Sequence, residues 1–284
     1  MAHRPLSRRL AGLLALLAFP PLAAAADPVS LRSLDGGLLA APVRIGDRVL
    51  WMVVDTGATR SRVRADIARQ LDLTPRAHYA MQTAEGVAEC VCGGPVAARV
   101  GDSVLVIDCL GWSVGEGKAA LRPGVVGVLG ADALAGRSLL LDPVRRRLVI
   151  DPPLGDLAGE VVPLTLEVGR PTLTMPIAHA GGVGPRSLRL VLDSAADALI
   201  LFGPAAGVPR GRGQVDLATS TGTVRAAFGA APRLVGLRRT PRQAVLLPEV
   251  TDRGEDGLLP LAAIGAVALD WERGVAVLNA RPRD

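Results

Sequence analysis

The chain has 284 residues and is 49% hydrophobic, yet it holds only three Trp, one Tyr and three Phe, so Leu, Val and Ala must fill any core. The formal charge of +5 falls to +2 when the three arginines before residue 10 are set aside. No Lys/Arg cluster interleaved with aromatics occurs, which excludes an electrostatic nucleic-acid surface, and the apolar content excludes a disordered chain.

Residues 1–26 carry Arg4, Arg8 and Arg9, then an apolar run from Leu10 to Phe19, then Ala23-Ala24-Ala25-Ala26. That order is the pattern of a secretory signal peptide cleaved after Ala26, and it leads us to expect a periplasmic or secreted protein. Pro20-Pro21 break the run well short of the roughly 20 apolar residues that cross a bilayer. The remaining 258 residues are expected to form two lobes, 27–153 and 154–284, divided near Asp151-Pro152-Pro153.

Period-2 apolar runs predict strands at 42–45, 49–54, 104–107, 139–141, 188–192 and 275–278, with Gly46-Asp47 and Gly101-Asp102 as hairpin turns. Helix is expected only at 65–73 and, as a short turn, at 130–134. The class is therefore all-β. The strand 49–54 runs directly into Asp55-Thr56-Gly57-Ala58-Thr59. The strand 188–192 runs into Asp193-Ser194-Ala195-Ala196, with Asp193 lying 138 residues after Asp55. Two carboxylates delivered by apolar strands in two halves of one chain are what a paired acid/base site requires.

Further correspondences follow in the same order: 83–87 with 219–223 at an offset of 136, and 139–142 with 267–270 at an offset of 128. With Val126-Gly127-Val128-Leu129-Gly130 and its counterpart Asp256-Gly257-Leu258-Leu259-Pro260, these motifs resemble the pepsin and retropepsin superfamily of aspartyl proteases. The resemblance implies a bilobal arrangement of two retropepsin-like β-barrel lobes around a cleft. It implies that Asp55 and Asp193 form the catalytic dyad of an endopeptidase, with Thr56 and Ser194 bonding across a pseudo-twofold axis. The hairpins at Thr83 and Gly86, and at Thr219 and Gly222, are flap candidates without an aromatic tip. No cofactor or metal is implied, and the expected partner is a peptide or unfolded protein held by a monomer.

Gly57, lacking a side chain, lets its N–H approach an aspartate and leaves room for water and substrate. Its counterpart Ala195 departs from the family pattern. That departure keeps two rivals in view: a peptide-binding protein without turnover, and a homodimer that uses Asp55 from each chain.

Cys90 and Cys92 fall on one strand face, so either could form a disulfide with Cys109. Zinc would need more ligands than His78 and these thiols provide. Asp142 and Asp270 open turns and are expected to bond there; Asp197 reads as a loop acid. No nucleophile-elbow or zinc-protease motif occurs, and Gly115-Glu116-Gly117-Lys118 lacks the first Gly and the final Ser or Thr of a phosphate loop.

Overall fold

The structure, a computed structural model, describes residues 27–82, 87–114, 123–178, 186–203, 210–218, 223–237, 239, 241–247 and 254–283. The expected signal segment 1–26, and the flap residues Thr83, Gly86, Thr219 and Gly222, lie outside the described residues. The architecture is all-β and is built from three sheets.

The first half forms a ten-stranded sheet. Within it Leu39–Ile45 and Arg48–Val54 pair antiparallel around the turn at Gly46, and Gly127–Leu129 threads beside Arg48–Val54 in parallel, with Leu129 opposite Val54. The second half repeats this in an eight-stranded sheet: Arg170–Ile177 pairs antiparallel with Arg186–Asp193, and Gly257–Pro260 runs parallel to it, with Asp193 opposite Pro260. The threading strand of each half begins at a glycine for the same steric reason. A Cβ on Gly127 would stand 2.5 Å from the Arg62 carbonyl oxygen, and one on Gly257 would stand 2.1 Å from that of Ile200. Only glycine allows so close a backbone approach.

The third sheet joins the halves. Its strands Ser138–Asp142 and Val267–Asp270 lie side by side, each followed by its own hairpin partner, Arg147–Ile150 and Val275–Pro282. Leu140 faces Ala268, its own repeat counterpart, which marks where the local twofold axis crosses this sheet. Val29–Ser30 and Leu157–Pro163 complete the six strands. Because the central strands are shared, the core is continuous across the halves: Met52, Leu129, Leu139 and Leu141 belong to the same buried cluster as Leu190, Leu192, Leu259 and Leu269. Each such side chain contributes about 1.5–3 kcal/mol of apolar burial, which compensates for the scarcity of aromatics.

The expected helix over 65–73 is shorter, Ala65–Gln70, because Asp72 takes a left-handed φ of 51° that ends the helical path before Pro75. The second short helix is Ala131–Leu134. Cys92 bonds to Cys109, and Cys90 is a free, buried thiol. The register explains the choice: Cys92 sits opposite Gly111, close to Cys109 just before the neighbouring strand Leu110–Ser113, whereas Cys90 sits further along, opposite Ser113. Among the described residues no helix is long and apolar enough to cross a membrane.

Candidate active site

The two Asp-bearing loops meet at the ends of equivalent strands. The first is anchored by Asp55 N–H donating to the Leu129 carbonyl at 3.0 Å, and by Ala131 N–H donating to the Ala58 carbonyl at 2.8 Å. Thr56 and Ser194 then bind the loops to each other reciprocally. Thr56 Oγ1 donates to the Leu192 carbonyl at 2.6 Å and accepts the Ser194 N–H at 3.1 Å. Ser194 Oγ donates to the Val54 carbonyl at 2.7 Å and accepts the Thr56 N–H at 3.0 Å. Val54 and Leu192 are themselves repeat counterparts, so the four bonds obey the twofold axis. Both hydroxyls are buried, Thr56 fully and Ser194 to within 5%. Breaking the network there would leave buried polar groups unpaired.

This geometry places Asp55 and Asp193 together. Asp55 Oδ1 accepts the Gly57 N–H at 3.0 Å and the Ala58 N–H at 2.9 Å; Asp193 Oδ1 accepts the Ala195 N–H at 2.8 Å. Gly57 packs directly on the opposite carboxyl: a Cβ there would stand 2.5 Å from both Cγ and Oδ2 of Asp193. Ala195, by contrast, does not take a positive φ, so its methyl brings no backbone strain, and it packs against the first-half cluster that includes Val53 and Val128.

The electrostatics are asymmetric. Burial raises the Asp193 pKa, the Asp55 charge raises it further, and the outcome is about 8 despite the opposing N–H bonds of Ala195 and Ala196 and the Arg170 charge. Burial also raises Asp55, but the Arg62 guanidinium, the Ala58 and Gly57 N–H groups and a hydrogen bond with Asp193 all oppose that shift. The pair titrates as a unit: burial and the nearness of the two carboxyls favour one retained proton on the dyad.

The first half carries a brace that sequence reasoning missed. Asp132 Oδ1 accepts the Ser61 N–H at 2.7 Å, the Ser61 hydroxyl at 2.6 Å and the Ala133 N–H at 2.9 Å, while Ser61 Oγ accepts the Gly130 N–H at 3.0 Å. It ties the chain just after the Asp55 loop to the residue that follows Leu129. In the second half the corresponding positions are Leu199, Pro260 and Ala262, so packing replaces the polar brace. The signal was an acid two residues after the Leu129-Gly130 pair, in line with Ser61 six residues after Asp55.

The other acids stand apart. Asp142 accepts the N–H groups of Val144 and Arg145 and pairs with the Arg145 side chain at 3.1 Å; Asp270 accepts the Arg273 N–H at 2.9 Å. Both hold hairpin turns. Asp197 is exposed. Among the described residues no three His, Cys, Asp or Glu side chains gather in a way that could hold a metal ion.

Residues 41–133 match a family model described as aspartyl protease. A comparison with curated proteins finds no match. Among solved structures, basic 7S globulin from soybean is similar over 88% of this chain and 93% of its own, at 12% identity and a TM-score of 0.48. The family match takes in Asp55, Thr56, Gly57 and the threading strand Gly127–Leu129.

Proposed function

We propose that the chain is an aspartic endopeptidase that hydrolyses peptide bonds with a water activated between Asp55 and Asp193. Ionised Asp55 takes a proton from the water as its oxygen attacks the scissile carbonyl carbon, and protonated Asp193 donates to the carbonyl oxygen. The resulting gem-diol collapses as its C–N bond breaks, the leaving amine taking the proton from Asp55 and Asp193 recovering a proton from a diol hydroxyl, which restores the dyad. The observation that carries this reading is the reciprocal Thr56/Ser194 network, which joins an Asp loop from each half of one chain into a single site. Because Asp55 meets Asp193 of the same chain, the reading is of a monomeric enzyme acting on peptides or unfolded proteins.

Export is part of the proposal. The basic-then-apolar start of the sequence supports it, and so does the Cys92–Cys109 disulfide, a bond that persists in oxidising compartments. The test is cleavage of a denatured-protein mixture by the purified protein from pH 3 to 8, beside Asp55→Asn and Asp193→Asn and with a statine-type transition-state analogue. Turnover abolished by either substitution and by the analogue is expected; turnover that survives either substitution removes the intramolecular dyad. Ala195, standing where the first half has Gly57, favours a second reading in which the cleft holds peptide without cutting it. Binding of the analogue by a protein that cleaves nothing at any pH would select that reading.

A further inference from the structure

One strong cation of the site is not explained by holding the fold together. Strand register places it. Arg62 sits opposite Val128, Val128 opposite Val53, and Gly111 opposite Arg62, so Arg62 shares a sheet face with Val53 and Val128. The Ala195 methyl of the second half packs on that same face. Arg62 therefore looks into the space between the halves, as Asp55 does two residues beyond Val53. Continuing the register outward brings Tyr79 and Met81, on the strand Ala77–Gln82, to the same face.

The contacts agree with the register. Arg62 Nη1 donates to Met81 Sδ at 3.1 Å, and Arg60 lies over the Tyr79 ring at 5.1 Å. Among the described residues neither guanidinium has a carboxylate within 4.0 Å. Arg170, the other arginine that acts on the dyad, is different: Glu255 holds it at 3.0 Å and both side chains are largely buried. Arg62 is half-buried, its guanidinium bonded among the described residues to a weak sulfur acceptor, and it has exchanged part of its hydration for an apolar sheet face. A planar, always-charged donor fork in that setting matches a carboxylate.

We propose that Arg62, flanked by Arg60, forms a subsite for an acidic side chain of the peptide, making Arg62 a specificity-determining residue of the cleft. This rests on the reading of the cleft as a peptide site. An incoming carboxylate pairs with Arg62 next to Met81, beside but not on the reacting atoms, and the pairing adds to peptide affinity. Below the ionisation range of glutamate, near pH 4, the preference disappears because the substrate group is neutral.

The experiment uses fluorogenic peptides that are identical except for Glu or Gln walked through the three residues on each side of the cleaved bond. Cleavage is measured with the wild-type protein, Arg62→Gln and Arg62→Lys, and binding is measured by anisotropy with Asp193→Asn, which needs no turnover. At one position Glu is expected to be favoured by about tenfold or more in both binding and kcat/KM, chiefly through KM, as one charge-assisted pair allows. Arg62→Gln abolishes the preference and Arg62→Lys keeps part of it. Equal handling of Glu and Gln peptides by the wild type, or a preference that survives Arg62→Gln, overturns the subsite and leaves the peptidase reading standing. Selective binding of Glu peptides without cleavage by the wild type keeps the subsite and removes the peptidase reading. Folded protein that neither binds nor cuts any of the peptides overturns both.

Discussion

Gly57→Ala tests whether the two halves are pressed together as tightly as the site requires. The added Cβ would stand 2.5 Å from Cγ and Oδ2 of Asp193, whereas ordinary contact begins at 3.4 Å, so the loops must separate by roughly 1 Å. The neighbouring groups cannot yield separately: Asp193 is buried and its loop is bonded to Thr56 on the far side. A misplacement of roughly 1 Å costs about 10²-fold in kcat when reacting groups must stay aligned, and overpacking costs about 1–3 kcal/mol of stability. The assay is kcat and KM on a quenched peptide, with statine-analogue affinity and urea unfolding on the same preparations. The mirror variant Ala195→Gly has no such clash to relieve at an ordinary φ; it should keep kcat within a few-fold and lose about 0.4–1 kcal/mol through unfolded-state freedom. Wild-type kcat together with wild-type stability in Gly57→Ala would refute the tight apposition.

Acidity supplies the next test. A carboxyl whose pKa is raised by folding binds its proton more tightly in the folded state. The stabilisation is therefore fully present below the unfolded value of 3.8 and is lost as pH rises toward the folded value of about 8. Melting temperature should accordingly fall across that window in the wild type and fall less in Asp193→Asn, and kcat/KM should decline on its alkaline side near the same pH. Thr56→Val removes the donor to Leu192 and the acceptor for Ser194 N–H, which should cost about 2–4 kcal/mol in urea unfolding, while Thr56→Ser should cost under about 1. Asp132→Ala unpairs Ser61 and the Ala133 N–H and should cost about 2–4 kcal/mol by the same measurement, with a fall in kcat because the Asp55 loop loses its brace.

Local chemistry explains what could be read in advance. Alternating apolar residues ending in an Asp-containing turn announce a strand and its loop without reference to distant residues, and strands at 49–54 and 188–192 became Arg48–Val54 and Arg186–Asp193. The spacing of repeated motifs likewise carried the equivalence of Asp55 with Asp193. The helix ending at Gln70 instead of residue 73 was not legible, because the left-handed φ of Asp72 is a local choice that composition does not dictate. Nor was the Ser61–Asp132 brace, whose partners lie 71 residues apart and have no polar counterpart in the second half.

The order of strands, the two acidic loops and the reciprocal hydroxyl residues are properties of the sequence by itself, since each depends on side-chain type and short-range periodicity. Tertiary structure alone decided that Cys92 and not Cys90 reaches Cys109, that the sheet shared by both halves turns about Leu140 and Ala268, and that Gly57 lies against the opposite carboxyl. It also decided that Arg62 shares a sheet face with Val128 and that its charge acts on Asp55. The physical reason is common to all of them: strand register and the apposition of two lobes set distances between residues far apart in the chain, and a sequence records only the order in which those residues are joined.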